Sequence, residues 1–70
     1  MMPLTLAGVG EVNTIRRIGG NEETRRFLEN LGFVAGSENT VLSAIEGNVI
    51  VNIKDSRIAI NKDMARHIMI

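Results

Sequence analysis

The sequence contains no cysteine, a single proline and only two aromatic residues, Phe27 and Phe33. Without cysteine the chain can form no disulfide, and it cannot build the usual structural zinc site of Cys and His ligands. A domain of 70 residues buries only about 60% of the surface that its unfolded chain exposes, so its stability is marginal. The branched aliphatic side chains must therefore form the core alone, or with the help of oligomerisation.

The sequence also lacks an excess of either charge, because eight Lys and Arg residues balance eight Asp and Glu residues. A one-sided basic surface is the usual mark of nucleic-acid binding, and two phenylalanines are few for a base-stacking surface. No apolar run exceeds three residues, so none can span a bilayer. We therefore expect a single cytoplasmic domain over residues 1–70 that binds no nucleic acid and does not insert into a membrane.

The clearest predicted element is a helix from about Glu22 to Leu31. Asn21 is a good N-cap, and Glu22 and Glu23 place negative charge in the first turn. Gly32 supplies the left-handed residue that ends many helices. The next residue, Phe33, is expected to pack back on the helix. The residues of the apolar helix face that we expect to contact the core are Phe27, Leu28 and Leu31.

The other segments favour short strands. Residues 11–18 have a β-like composition, but their apolar positions do not alternate cleanly. This predicts either a bulge near Asn13 or a strand with both faces partly covered. Residues 40–45, 49–54, 57–60 and 68–70 are further predicted strands, with turns at Gly47-Asn48 and Asp55-Ser56. Asn61 can cap a helical turn over residues 62–66, and residues 3–7 form either a strand or one helical turn. Five strands with one main helix predict a small closed or nearly closed β-barrel.

The motifs of enzymes are absent. The Gly8-Val9-Gly10 segment lacks the third glycine of a dinucleotide fingerprint and opens a strand, not a helix. The Gly19-Gly20 turn leads into a helix N-terminus, but Glu22 and Glu23 would repel a phosphate there. We therefore predict that the protein is not an enzyme, and we assign no catalytic residue.

His67 is the only histidine, and Asp63 lies four residues before it. If both stood on one helical face, they could form a weak carboxylate–imidazole pair. The favoured alternative is a surface or interface histidine, because so few ligands are available. The other alternative is that His67 is a metal ligand, in a site that could be completed across a symmetric dimer. His67 and Asp63 are thus the only candidate metal ligands, and no cofactor is assigned.

Half of the basic residues lie within eleven positions of the chain. They alternate with glutamates, which favours solvated i,i+4 pairs such as Glu22–Arg26 and Arg25–Glu29. The alternative is a docking patch for a partner protein, because arginine is enriched at protein interfaces. The candidate partner-binding residues are Arg16, Arg17, Arg25 and Arg26.

The order of these signals resembles the FeoA family. The most specific part is Arg25-Arg26-x-Leu28-x-x-Leu31-Gly32-x-x-x-Gly36, which follows the strand that ends at Ile18-Gly19-Gly20. The distal half carries weaker similarities at Val49-x-Val51, Ile58-Ala59-Ile60 and Ala65-x-x-Ile68-x-Ile70. Two positions depart from the family pattern, which often has proline at the position of Ala35 and an aliphatic residue at that of Asn39.

The resemblance implies an SH3-like β-barrel that works in the cytoplasm beside FeoB, the ferrous iron transporter with a cytosolic GTP-binding domain. FeoA-like domains are usually described as regulators or assembly factors of FeoB, and family descriptions often include binding of Fe²⁺ or another transition metal. An alternative is a metal-binding regulatory domain like the SH3-like domains appended to DtxR-type iron repressors. Such a repressor needs a helix-turn-helix and metal ligands, neither of which this sequence shows.

Overall fold

Six strands and two helices form along the chain, as the computed structural model of residues 1–70 describes it. The chain begins with a 3-10 turn at Leu4–Leu6, which settles the ambiguity of that segment in favour of a helical turn. The elements that follow are β1 (Val12–Thr14), β2 (Arg17–Ile18), α1 (Glu22–Asn30), β3 (Glu38–Ile45), β4 (Asn48–Ile53), β5 (Ser56–Asn61), α2 (Lys62–Ala65) and β6 (Ile68–Met69).

Four of the strands form an antiparallel sheet in the order β1-β3-β4-β5, and β2 pairs with β6 in a second, two-stranded sheet. The two tight hairpins in the larger sheet each begin one residue earlier than predicted. Ile45 pairs with Asn48 and Ile53 with Ser56, so the turns lie at residues 46–47 and 54–55. Glu46 and Lys54 have positive φ values of 27° and 55°, a conformation that two-residue hairpin turns require.

The predicted first strand is divided in two, which raises the number of strands from five to six. The Ile15 N–H donates to the Ser37 carbonyl at 2.8 Å, whereas the Arg16 N–H donates to the Met69 carbonyl at 2.8 Å. The chain therefore changes partner between these two residues, from the β3 side to β6. This corner explains the irregular apolar pattern, because Ile15 and Ile18 are both buried, at 1% and 6% exposure. No bulge at Asn13 is needed.

Helix α1 begins and ends as the sequence predicts, within one residue. The Asn21 side chain accepts a hydrogen bond from the Thr24 N–H at 2.8 Å. At the other end the Phe33 N–H donates to the Leu28 carbonyl at 3.0 Å, and the Gly32 N–H donates to the Glu29 carbonyl at 3.0 Å. This is the Schellman arrangement, in which the residue after the helix adopts a left-handed conformation. Gly32 fulfils that condition with a φ of 106°.

The second helix, α2, is shorter than its predicted range of residues 62–66. It begins at the predicted cap, where the Asn61 side chain accepts a hydrogen bond from the Met64 N–H at 2.8 Å. It ends at Ala65, with Arg66 as its C-cap. Strand β6 begins at Ile68, after Arg66 and His67, and ends at Met69, one residue earlier than predicted.

The core lies between the two sheets and the inner faces of the helices. It contains twelve buried apolar residues: Leu4, Ile15, Ile18, Leu28, Phe33, Val41, Val49, Val51, Ile53, Ile60, Ala65 and Ile68. The prediction that Phe27 belongs to the core is wrong, because 48% of that residue is exposed. Leu31 is only partly buried, and Leu28 is the residue of this helix face that is fully enclosed.

Candidate functional site

An open groove of about 480 Å³ lies between β2, the Gly19-Gly20 turn and α1. Arg16 and Arg17 line one part of it, and Arg25 lines it from the helix. Successive residues of a regular strand point to opposite faces, but both of these neighbouring arginines are exposed. Both arginines are exposed because the chain turns a corner between β1 and β2, and this corner directs Ile15 and Ile18 inward on either side of the arginine pair.

Hydrogen bonds fix the backbone that carries these arginines. Arg17 pairs with Met69 across the β2–β6 ladder, and the Gly19 N–H donates to the His67 carbonyl at 2.7 Å. On the helix, the Arg25 N–H donates to the Asn21 carbonyl at 3.0 Å. The groove is thus built on paired strands and a capped helix, and these hydrogen bonds hold the backbone of its three arginines in place.

Ion pairing differs between the four candidate arginines. The Arg26 guanidinium donates to the Glu22 carboxylate at 2.8 Å, and this i,i+4 pair is the only salt bridge in the structure. The predicted Arg25–Glu29 pair is not formed, although both residues line the groove. The structure therefore brings Arg16, Arg17 and Arg25 together without a salt bridge and leaves Arg26 outside the groove, paired within its own helix.

The two candidate metal ligands do not form a pair. Helix α2 ends at Ala65, so His67 lies beyond it and shares no helical face with Asp63. No salt bridge joins the two side chains, and no group of three or more His, Cys, Asp or Glu residues could hold a metal ion. His67 is half-buried, and its ring lies against Gly20, where an added Cβ would stand 3.2 Å from Nδ1.

Two features of this surface were not predicted from the sequence. Glu29 and Ala35 complete the arginine groove, but their sequence separation from Arg16 gives no sign of this proximity. A second open groove, of about 630 Å³, lies along β1, β3 and β4 and is lined mostly by polar residues. One of its lining residues, Asn39, is buried, and neither of its polar side-chain atoms has a hydrogen-bond partner in the chain. The sequence carried a sign of this, because the resemblance noted above implies an aliphatic residue where Asn39 stands.

Comparison with solved structures defines the class of fold. The chain superimposes with a TM-score of 0.84 on Stenotrophomonas maltophilia FeoA complexed with zinc, described as a procaryotic SH3 domain protein, at 21% identity over 99% of this chain and 88% of that one. A manganese-dependent transcriptional repressor gives a TM-score of 0.86 at 22% identity, over 94% of this chain and 38% of that one. The predicted SH3-like, mainly β fold is therefore confirmed, although its strands form two sheets and not one closed barrel.

The family follows from the sequence match. The model of the FeoA domain family matches residues 2–70, and the chain belongs to this family. An iron uptake regulatory protein, FeoA, has a crystal structure that matches with a TM-score of 0.87 and 28% identity, over 96% of this chain and 89% of that one. No curated protein sequence matches the chain. None of the helices in the structure combines the length and the apolar character needed to cross a bilayer.

Proposed function

We propose that this chain is a non-enzymatic accessory protein of ferrous iron uptake, which acts in the cytoplasm by docking on a FeoB-type transporter or its GTP-binding domain. The observation that supports this most directly is the family match, which extends over residues 2–70 and thus over the whole fold. The similar structure of an iron uptake regulatory protein supports the same role. The Stenotrophomonas relative has itself been suggested to be a ferrous iron transport activating factor.

The proposed docking surface is the arginine-rich edge whose groove is lined by Arg16, Arg17 and Arg25. The fourth candidate, Arg26, lies outside this groove and is paired with Glu22. All four side chains are exposed, so they can reach a partner without unfolding of the domain. Docking through a charged surface is faster at low salt and weakens when salt screens the charges. Substitution of such exposed residues changes stability by only about 0.5 kcal/mol, so variants at this edge should remain folded.

The test is a binding titration by interferometry against the cytosolic domain of the FeoB transporter from the same genome. Wild type is compared with the double variant Arg25→Glu, Arg26→Glu at low and at moderate salt. We expect the wild type to bind, with an affinity that falls as salt rises, and the double variant to bind more weakly. Arg57→Glu is a control for charge reversal at another site, because Arg57 is an exposed arginine on β5 that does not line the groove.

A wild-type protein that binds neither the cytosolic domain nor the full transporter in lipid would contradict the docking proposal. A folded double variant that binds as well as wild type would leave docking intact but would remove the arginine edge from it. Attention would then shift to the β3–β4 and β4–β5 turns, whose residues are also exposed.

A metal-regulated domain is the second candidate function, and the similarity to the manganese-dependent repressor favours it. The chain spans 38% of that repressor, so the likeness extends to one domain of it, and at 22% identity it concerns the fold. A regulatory site for a divalent metal would need ligands from more than one copy of the chain, since no suitable cluster lies within one. Metal titration of the purified protein separates this function from docking.

A further inference from the structure

We infer that the groove lined by Arg16, Arg17 and Arg25 receives an acidic segment of the partner protein, and that Arg26 is not part of this contact. The inference rests on the proposed docking function and specifies the chemistry of its partner. Three arginines and one acidic residue, Glu29, line the groove, in a chain whose eight basic and eight acidic residues balance overall. It is thus a local excess of positive charge on a neutral protein.

The three groove arginines are available for a partner because none of them forms a salt bridge within the chain. Arg26, one residue further along the same helix, is instead paired with Glu22 at 2.8 Å. A partner that used Arg26 would have to compete with that pair. Arg25 can therefore bind a carboxylate of the partner directly, whereas its neighbour Arg26 is already paired with a carboxylate of its own helix.

The guanidinium group also determines the kind of anion that fits. Its planar donors match a carboxylate in a bidentate arrangement, which makes arginine the preferred residue for recognition of carboxylates at interfaces. The supporting backbone is held by the β2–β6 ladder and by the capped helix. Binding therefore orders the arginine side chains but not their scaffold, which reduces the entropic cost of association.

Other occupants fit this groove less well. A polybasic site for anionic lipid typically clusters about four to eight basic residues, whereas three arginines and a glutamate line this groove. A second copy docked about a two-fold axis would place the same arginines against one another. A nucleic acid would need stacking surfaces, and one of the two phenylalanines, Phe33, is completely buried.

The experiment compares four single variants of the full chain: Arg16→Glu, Arg17→Glu, Arg25→Glu and, as the matched control, Arg26→Glu. Each changes the net charge by the same amount, so differences between them report on position. Affinity for the cytosolic domain of the FeoB transporter is measured by interferometry after a thermal melt has verified folding. Arg25→Gln serves as a milder variant if a charge reversal unfolds the protein.

We expect each groove variant to weaken binding about tenfold or more, since hydrogen bonds to charged groups contribute about 1.5–3 kcal/mol. The Arg26→Glu control should change affinity by less than about threefold, as is typical of exposed charges. Equal affinities for all four variants, beside a wild type that binds, would overturn the acidic-segment inference and leave the docking function standing.

If the wild type does not bind the transporter, that result contradicts the proposed function. A second experiment then tests the acidic-segment inference by itself. Hexaglutamate peptide is titrated into isotopically labelled protein, and amide shifts are followed by NMR, with hexalysine as the control peptide. Shifts confined to the groove that disappear in Arg25→Glu would support the inference. Absence of such shifts, or binding instead to phosphatidylserine vesicles that Arg25→Glu abolishes, would overturn it.

Discussion

Phe27 and Leu28 are adjacent in α1, yet they differ in burial. Leu28 has no exposed surface, whereas nearly half of Phe27 is exposed. The Leu28 carbonyl also accepts the Schellman hydrogen bond from the Phe33 N–H, so its side chain and its backbone both lie where the helix meets the core. A helix of nine residues has little other means of attachment, and Leu28 is therefore its principal anchor.

Leu28→Ala should yield a largely unfolded or molten protein. Truncation of a buried leucine costs about 2–5 kcal/mol, while the core of so small a domain supplies only about 3–5 kcal/mol of stability. Circular dichroism during a thermal melt measures the effect. Phe27→Ala is the matched control on the same helix and should melt close to wild type. A cooperative Leu28→Ala melt within a few degrees of wild type would show that this contact does not hold the domain together.

Asn39 is the only polar residue in the buried set, with 2% of its surface exposed. It lies on β3 between Asn13 and Ile53 of the neighbouring strands, and its side chain has the same inward direction as that of Val41. Neither its amide nitrogen nor its oxygen has a hydrogen-bond partner in the chain. An unpaired buried polar group costs about 1–3 kcal/mol, so this asparagine lowers the stability of the domain.

Asn39→Leu should stabilise the protein by about 1–2 kcal/mol, because leucine has nearly the same branched shape and requires no hydrogen bond. Urea denaturation with an unchanged m value measures the gain. Asn52→Leu, on the outer face of β4, is the control and should not raise the midpoint to the same degree. A destabilised Asn39→Leu variant would mean that the amide makes a contact, for example with a bound partner or an internal water molecule, that compensates its burial.

At the level of elements, the predictions that depend only on neighbouring residues succeeded, and those that depend on distant partners failed. Helix α1 was predicted to within one residue because its N-cap, its acidic first turn and Gly32 are all determined by neighbouring residues. The division of residues 11–18 into two strands was missed because it depends on distant partners, Ser37 on one side and Met69 on the other. The exposure of Phe27 was missed for a similar reason, since helical periodicity identifies an apolar face but not how much of it the sheets cover.

The Gly19-Gly20 turn between β2 and α1 offers a matched pair of substitutions. Gly20 has a φ of 85°, and a Cβ there would stand 3.2 Å from His67 Nδ1 and 3.3 Å from Thr24 Cγ2. Gly19 has no such conformation, and the nearest atom to its Cβ would be the His67 carbonyl oxygen at 3.5 Å. A side chain would therefore be strained at Gly20 but not at Gly19.

Gly20→Ala should destabilise the protein by about 1–2 kcal/mol or more, which is the usual cost of a left-handed conformation for a residue with a Cβ. Gly19→Ala should have a much smaller effect. Denaturation midpoints of the two variants, measured under identical conditions, give the comparison. Equal midpoints would mean that the turn can relax to a conformation with negative φ, and the arginine groove would then be less rigid than the hydrogen bonds of β2 indicate.

At the level of the whole molecule, the sequence identified the four arginines but could not predict how they are grouped. Arg16 and Arg17 are separated from Arg25 by a strand, a turn and part of a helix, and only the fold brings the three into one groove. The i,i+4 rule predicted two ion pairs on α1 with equal weight. The structure has only Glu22–Arg26, because side-chain placement around the groove is not determined by helical spacing.

The question of a divalent metal site concerns the whole molecule as well, because one similar structure contains zinc and another is a manganese-dependent repressor. Within one chain, the donor set consists of one histidine and scattered carboxylates. The nearest candidate pair, His67 and Asp63, does not come together. A stable site for zinc or iron needs three or four converging ligands, which a single copy does not provide.

We therefore predict that the purified monomer binds no divalent metal tightly. Calorimetric titrations with zinc, with manganese and, under anaerobic conditions, with ferrous iron test this directly, and sedimentation of the same samples reports whether metal joins two copies. His67→Ala and Asp63→Asn serve as matched variants, since they remove the two candidate ligands separately. Stoichiometric, submicromolar binding by a monomer that His67→Ala abolishes would contradict the prediction and make His67 a ligand. Binding that appears only together with dimerisation, and disappears in His67→Ala, would instead support a site shared between two copies and so favour the metal-regulated function over simple docking.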